Sequence, residues 1–396
     1  MPRSLLAAVL AVRLFDEANA FVLPGTFESL RADIGLTYSQ ASSSFVAIAV
    51  GAVAGTATTV AADYRSRRVI CSAGAVGYAA SLVVIGVAAS YPVVLVGAFL
   101  VGVASTAMVD ASEVALADLA GDDLERHLTT QNALGSIGDL LGPALVVGAL
   151  ALGLSWRICF FAAGVLVALY GAWVATLRFP PPHPRDDGHS VRGAVRSVAS
   201  DPVVWLAGSV TMLLGPLDEP LLAFLIAHLE HARGLTAAGA TLIASFSVAG
   251  AFVGYATLRR RDGLLPADAT LLAAAVSGLV VAPGPVVASV ASLLVGTFLV
   301  RVWIDVQARV LTVRPGQAGT VKAVVTVVET IGWVLPLLAG AVADRVDVTA
   351  GLASYAAIAW ALAAAAALLH RAARSRRGAP VRPGEGQPAG PVRETV

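Results

Sequence analysis

Charge is scarce in this 396-residue chain. Only 13% of its residues are Asp, Glu, Lys or Arg, whereas soluble domains carry about 25%. Hydrophobic residues make up 57%, and the mean hydropathy is +0.79. The sequence therefore predicts a membrane protein throughout, with short loops and no room for a soluble catalytic domain. The formal net charge of +1 gives no general attraction to nucleic acid.

Motifs for redox, metal and nucleotide chemistry are also missing. The two cysteines, Cys71 and Cys159, lie in apolar stretches without metal or redox spacing, so we interpret them as small buried hydrophobic residues. The stretch 316–322 has the wrong spacing for a phosphate-binding loop. Two histidines flank Glu230, where an amphipathic helix end explains them better than a metal site. We expect no cofactor, no bound metal and no enzymatic activity.

Two adjacent acids interrupt the first long apolar stretch. Asp16 and Glu17 lie in its middle, and the same dipeptide returns as Asp218 and Glu219 inside another apolar stretch. A charged side chain at the bilayer centre costs about 2.5–3.5 kcal/mol. The repetition predicts a duplicated protein whose acids line a shared internal path. It also indicates that the first stretch is a retained span and not a cleaved signal peptide.

Apolar runs predict an all-α membrane protein with twelve spans in two sets of six. The first set covers about 4–24, 41–61, 69–89, 92–117, 130–152 and 158–177. The second set covers about 202–227, 237–257, 268–283, 286–308, 320–343 and 349–370. We therefore predict two pseudo-symmetric six-helix bundles at 1–178 and 202–370, a cytoplasmic linker at 179–201 and a disordered cytoplasmic tail at 371–396.

Basic residues predict the orientation of these spans. If both termini are cytoplasmic, the inner segments contain most of the arginines, including Arg65, Arg67 and Arg68. The outer loops then hold only four: Arg31, Arg157, Arg233 and Arg345. This asymmetry follows the positive-inside rule and predicts a multi-pass protein of the cell membrane with both termini in the cytoplasm.

The two halves also align locally. The tripeptide at 35–37 precedes span two, and the same tripeptide at 234–236 precedes span eight. Asp110 in span four corresponds to Asp305 in span ten, and a proline lies at a similar place in spans five and eleven. The common order of these matches supports a duplication.

Ionisable residues avoid the cores of spans three, six, nine and twelve. We expect these spans to face lipid and the charged spans to surround a wet interior. Arg13 precedes Asp16 and Glu17 by three and four residues, so one helical face can hold an internal ion pair. Further charges are spaced to share a helical face: Asp110 with Glu113, and Arg301 with Asp305 and Arg309.

These charges have two interpretations. Either they pair across helices only to fix the packing, or they bind substrate and protons, since burial favours the neutral form of a carboxyl group. In the second interpretation, the coupling and substrate residues are Asp16, Glu17, Asp110, Glu113, Asp218 and Glu219. The residues that hold acids in place or bind an anionic group are Arg13, Arg301 and Asp305.

The segment 59–68 resembles the loop motif between spans two and three of the major facilitator superfamily. Asp63, Arg67 and Arg68 match that motif, whereas Thr59 and Tyr64 depart from it. In the family, this loop is a cytoplasmic gate that holds the halves together through charge contacts. The resemblance covers nearly the whole chain through its two sets of six spans.

Span five is similar to the start of a motif associated with antiporters. Gly138, Gly142 and Pro143 match its beginning, although Gly-x-x-x-Gly-Pro is equally typical of close helix packing with a kink. The paired glycines that follow in the motif are absent. Phe99 stands near the place where drug–proton antiporters carry an arginine in span four.

The resemblance implies a monomeric secondary transporter that works by alternating access in the lipid bilayer. Because acids outnumber bases in the spans, the leading prediction is proton-coupled efflux of a cationic or amphiphilic small molecule. Proton-driven uptake of an organic acid is the nearest alternative, with Arg301 as its anchor. An alternative of another class is a membrane scaffold or sensor without transport activity.

Overall fold

A computed structural model describes residues 3–64, 66–120, 124–179, 196–257, 265–313 and 318–377. Within these ranges the chain is helical and has no strand. The first half contains six spans: Arg3–Ala20 with Val22–Ile34, Tyr38–Tyr64, Arg67–Gly86, Tyr91–Ala120, Leu124–Ala151 and Trp156–Ala175. The second half contains six more: Pro202–Leu214 with Glu219–Arg233, Ala237–Thr257, Leu265–Val281, Pro285–Thr312, Ala318–Gly332 with Leu335–Arg345, and Val348–Arg377.

Ten of these helical segments are long and apolar enough to cross a bilayer, and Leu265–Val281 is apolar but shorter. Span one is the exception, because its first helix carries Arg13, Asp16 and Glu17 within 18 residues. Hydropathy alone therefore misses a segment that packs inside the first bundle, where Ala8 and Val12 are fully buried.

The same helix pairs pack in both halves. Span two crosses span four, span three packs on span six, and span one packs on span five. Their counterparts repeat this order, since span eight crosses span ten, span nine packs on span twelve, and span seven packs on span eleven. The fold is thus two pseudo-symmetric six-helix bundles, as the sequence predicted.

Glycines make the two equivalent crossings possible. A Cβ at Gly51 would meet the backbone of Phe99 in span four, and a Cβ at Gly250 would meet the backbone of Leu293 in span ten. The helices therefore touch through their backbones, as small residues permit in membrane proteins. Gly51 and Gly250 lie at the same distance from the aligned glycines that end spans one and seven, Gly35 and Gly234.

Spans one and seven are both broken, and this changes the apparent Asp-Glu repeat. Measured back from the left-handed Gly35 and Gly234, Asp218 lies sixteen residues before its glycine, whereas Asp16 lies nineteen before. Asp218 sits in the break itself and Glu219 starts the next helix. The residue equivalent to Asp218 is Asn19, so the two dipeptides are not structural equivalents.

Several sequence-based predictions fall outside the described residues or differ from the helix ends. Most of the predicted linker, 180–195, and most of the predicted tail, 378–396, lie outside the described part. So do Arg65 and the side chain of Asp63. Span twelve continues as a helix to Arg377, past the boundary predicted at residue 370.

Candidate functional site

A cavity of about 630 Å³ lies between the two bundles. Spans one to four form much of its wall, and spans six, seven and eleven complete it. Among the described residues that line it, every charged side chain is an acid: Asp16, Glu17, Asp110, Glu219 and Glu329. The rest of the wall is largely apolar, with four aromatic rings: Phe45, Tyr78, Phe160 and Trp333. The cavity thus joins several carboxylates to an aromatic, apolar surface.

Arg13 organises the acids of the first bundle. Its Nη2 donates to Glu113 Oε1 in span four at 2.7 Å, and its Nε donates to the same oxygen at 3.2 Å. Its Nη1 lies 3.4 Å from Glu17 Oε1 and 3.9 Å from Asp16 Oδ2. The spacing predicted the contacts within span one, but the shortest contact is the one to Glu113. Arg13 therefore neutralises acids and is not a free cationic group.

Asp16 has a second anchor, because Ser105 Oγ in span four donates to its Oδ1 at 2.7 Å. Glycines in span five allow this part of span one to lie close. A Cβ at Gly138 would be 2.5 Å from Leu14 O, and one at Gly142 would be 2.8 Å from Ala18 O. Pro143 lies inside the same helix without ending it. The antiporter-like residues therefore pack span five against the acid-bearing turn.

Acids from both bundles face one another near the middle of the protein. Glu17 and Asp139 of the first bundle interact electrostatically with Asp218 of the second, and Glu219 interacts with the same group. Asp218 has exposed surface in the break of span seven, and it is not among the described residues that line the cavity. Like charges that interact inside a membrane protein are costly unless water, protons or a cation offset them.

The second bundle differs from the prediction. Arg301 pairs with Asp268 of span nine, at 3.1 Å from Nη2 to Oδ1, and it is not among the described residues that line the cavity. Arg309 pairs with Asp305 at 3.0 Å. Of the contacts predicted on this helical face, the one between Asp305 and Arg309 forms, and Arg301 pairs elsewhere. Asp268 was counted at the end of a lipid-facing span, and its reach toward span ten could not be inferred from the spacing.

The predicted gate loop is described only in part. Arg67, at the start of span three, is only 2% exposed, and the neighbouring Arg68 is exposed. Burial of an arginine at a helix start indicates a paired, structural position, which is compatible with a gate. Span three also contributes Tyr78, Leu82 and Ile85 to the cavity wall. The expectation that span three only faces lipid was therefore wrong.

Two polar contacts join the two bundles on the face that carries loops 35–37 and 234–236. This face is called the latch face below. In the first, Glu28 is 3% exposed and accepts from Arg31 at 2.6 Å within its own helix. The same oxygen lies 2.6 Å from His231 Nε2 of the second bundle. Nearby, Phe27 packs on Phe224 with ring centroids 5.7 Å apart.

The second contact of the latch face is a helix cap supplied by the opposite bundle. Asp344 Oδ1 accepts from Tyr38 N at 2.6 Å, and its Oδ2 accepts from Ser39 N at 2.9 Å. These two amides belong to the first turn of span two, whose N–H groups have no partner within the helix. A carboxylate is favourable at that end of a helix dipole.

Sequence analysis missed the residues of the latch face. Glu28 and Asp344 were assigned to loops or span ends, and the histidines near Glu230 were interpreted as part of an amphipathic helix end in preference to metal ligands. The described residues contain no cluster that could hold a metal. Spacing along one span could not reveal these contacts, because their partners lie about 200 to 300 positions away in the chain.

Comparison with known proteins identifies the family. The family model described as Major Facilitator Superfamily matches residues 8–336. The chain belongs to this superfamily. It is therefore a transporter and not an enzyme. No curated protein sequence is similar enough to match this chain.

Solved structures share the fold at low sequence identity. One is a bacterial homolog of the human lysosomal transporter Spinster, in an inward-facing and occupied conformation, with TM-score 0.77, 14% identity, and coverage of 95% of this chain and 98% of that one. A variant of the nucleoside transporter NupG gives TM-score 0.76 and 13% identity, covering 94% and 99%. A D-xylose–proton symporter gives 0.73 and 16%, covering 92% and 96%.

Proposed function

We propose that this superfamily member exports a cationic or amphiphilic small molecule in exchange for protons. The observation that carries the proposal is the charge of the cavity wall, where the described ionisable residues are all acids. Arg13, the nearest base, is engaged by Glu113 and Glu17. A cation can replace these interactions, and the aromatic wall can hold its apolar part.

Proton exchange follows from the same carboxylates. Glu17, Asp218 and Glu219 interact repulsively near the middle of the protein, so binding of a cation and binding of protons relieve the same repulsion. The two are therefore competitors for one site, which is the requirement for antiport. Asp110 and Glu113 extend the acidic path along span four.

The latch face supports an alternating-access mechanism. Glu28–His231 and Asp344–Ser39 hold the bundles together on one side of the cavity. We assign that side to the cell exterior and both termini to the cytoplasm, following the distribution of arginines. Export then requires these contacts to separate while Arg67, Arg68 and Asp63 close the opposite side.

Uptake of an organic acid has less support. Its proposed anchor, Arg301, pairs with Asp268 and is not among the described residues that line the cavity. An anionic substrate would meet Asp16, Glu17 and Glu219 at the same time, which is electrostatically unfavourable. A scaffold or sensor without transport would have no need of a cavity that water can enter.

Transport in proteoliposomes tests the proposal. We expect aromatic cations to move against an imposed inward proton gradient, and Glu17→Gln and Glu219→Gln to abolish coupled movement. Asp347→Asn is a control, because Asp347 caps span twelve within the second bundle and lies outside the cavity wall. Uptake of organic acids with protons would support the alternative. Absence of any solute movement by folded protein would favour the scaffold.

A further inference from the structure

Asn19 occupies an unusual position in the cavity. It lies at the end of the first helix of span one, just before the break, and contributes to the cavity wall. Its side chain is 4% exposed, so it is enclosed by protein. By its distance from Gly35 it is the counterpart of Asp218, which occupies the break of span seven. Both bundles thus place a polar side chain at or close to the break of their first span.

The orientation of the Asn19 amide is determined by its single hydrogen bond. Its Nδ2 donates to the carbonyl oxygen of Phe15, one turn earlier in the helix. Only the NH2 end of an amide can donate to a carbonyl, so Oδ1 is the end turned away from that bond. Among the described residues, Oδ1 is buried and has no hydrogen-bond partner. A buried acceptor without a partner is unfavourable unless a donor is supplied.

The cavity that Asn19 lines is also lined by other acceptors. Asp16 lies three residues before Asn19, on the same helical face, and both line the cavity. Glu219 lines the cavity from the opposite bundle, at the first turn of its helix. Ser105 uses only part of the hydrogen-bonding capacity of Asp16, and Arg13 lies 3.9 Å from its second oxygen. The wall therefore offers several acceptors, and no basic side chain is among the described residues that line it.

We propose that Asn19, with Asp16 and Glu219, forms a subsite for a cationic group that carries N–H donors, such as a primary ammonium. A quaternary ammonium has the same charge but no hydrogen to donate, so it leaves the Asn19 oxygen without a partner. The subsite therefore selects by hydrogen bonding in addition to charge. This inference rests on the proposed cationic substrate, and it narrows that substrate to protonated amines.

A matched series of ligands tests the proposal on the unmodified protein. The probes are 2-(2-naphthyl)ethylamine, its N,N-dimethyl derivative and its N,N,N-trimethyl derivative, all cationic at neutral pH. Titration calorimetry in lipid nanodiscs measures their affinities. We expect affinity to fall as N–H groups are replaced by methyl groups. The primary amine should bind at least about tenfold more tightly than the trimethyl compound, which is the loss expected for one charge-assisted hydrogen bond.

A variant assigns the effect to Asn19. Asn19→Leu removes the acceptor at similar volume, so it should weaken binding of the primary amine by about tenfold and leave the trimethyl compound nearly unchanged. Thr26→Val is the control, because Thr26 is buried in the same span, donates to Val22 O at 2.6 Å and lies outside the cavity wall. It should alter neither affinity.

The outcomes separate this inference from the broader function. Equal affinity for all three cations in the unmodified protein would overturn the Asn19 subsite and leave a cation exporter standing. If folded Asn19→Leu still binds the primary amine more tightly than the trimethyl compound by the same factor, the Asn19 subsite is also overturned. If none of the cations binds, the proposed cationic substrate fails, and the subsite fails with it.

Discussion

Arg13 of span one and Glu113 of span four form the shortest ion pair between two spans of the first bundle among the described residues, with 2.7 Å between Nη2 and Oε1. The two residues are separated by 100 positions in the chain. Their side chains are 32% and 34% exposed, so the pair is only partly buried. It links the acid-bearing helix to the wall of the cavity and determines which acids are left to bind a cation.

Exchanging the charges of Arg13 and Glu113 should restore part of the thermal stability that each single substitution removes. Arg13→Glu places four acids together, and Glu113→Arg places two guanidinium groups together, so each alone should lower thermal stability. The double variant Arg13→Glu/Glu113→Arg should recover part of it, with a coupling energy of about 0.5–3 kcal/mol. Thermal unfolding in detergent measures the cycle. Additive losses would show that the pair contributes nothing as a unit.

The Asp344 cap should control opening of the latch face. Asp344→Asn weakens charge-assisted bonds to the first turn of span two, so the bundles should separate more often on that side. Spin labels at Ala32→Cys and Ala232→Cys, with both native cysteines changed to alanine, report the distance. We expect a larger population at long distance.

Asp347→Asn is the matched control for the latch. Asp347 caps span twelve through Ala350 N at 2.7 Å, a contact within one bundle. Its loss should not change the distance between the labels. The same distances in Asp344→Asn and the unmodified protein would contradict a latch role for Asp344.

The glycine crossings should tolerate no side chain. Gly250→Val would force a β-branched group into the backbone of Leu293, so we expect a loss of about 1–3 kcal/mol or failure to fold. Gly148→Ala is the contrasting change, because a Cβ there meets nothing within 4 Å. Thermal unfolding of detergent-purified protein compares them. Equal stability of both variants would contradict backbone contact at the crossing.

The proposed orientation predicts which side of the membrane each loop occupies. Leu152 is 78% exposed in the loop after span five, on the latch face, and Arg374 is exposed near the end of span twelve. A membrane-impermeant maleimide should label Leu152→Cys in intact cells and Arg374→Cys only after permeabilisation. Cys71 and Cys159 are buried and should give little background. The opposite pattern would show that the termini lie outside.

Much of the architecture was predictable because it depends on local composition. The twelve spans follow from apolar runs of bilayer length, and the duplication from tripeptides such as the one at Gly35 and Gly234. The contacts of Arg13 with Asp16 and Glu17 follow from helical periodicity. Matching dipeptides do not by themselves mark matching positions, because Asp16 and Asp218 differ by three residues in their distance from Gly35 and Gly234.

The sequence by itself determined that this protein lies in a membrane, repeats a six-span unit and carries acids that lipid alone would not accept. Only the tertiary structure decided which of those acids meet. Arg13 pairs with Glu113, Arg301 turns to Asp268, and Asp344 caps a helix of the other bundle. The physical reason is that a helix restricts each side chain to a face, whereas the partner on that face is selected by packing between distant segments.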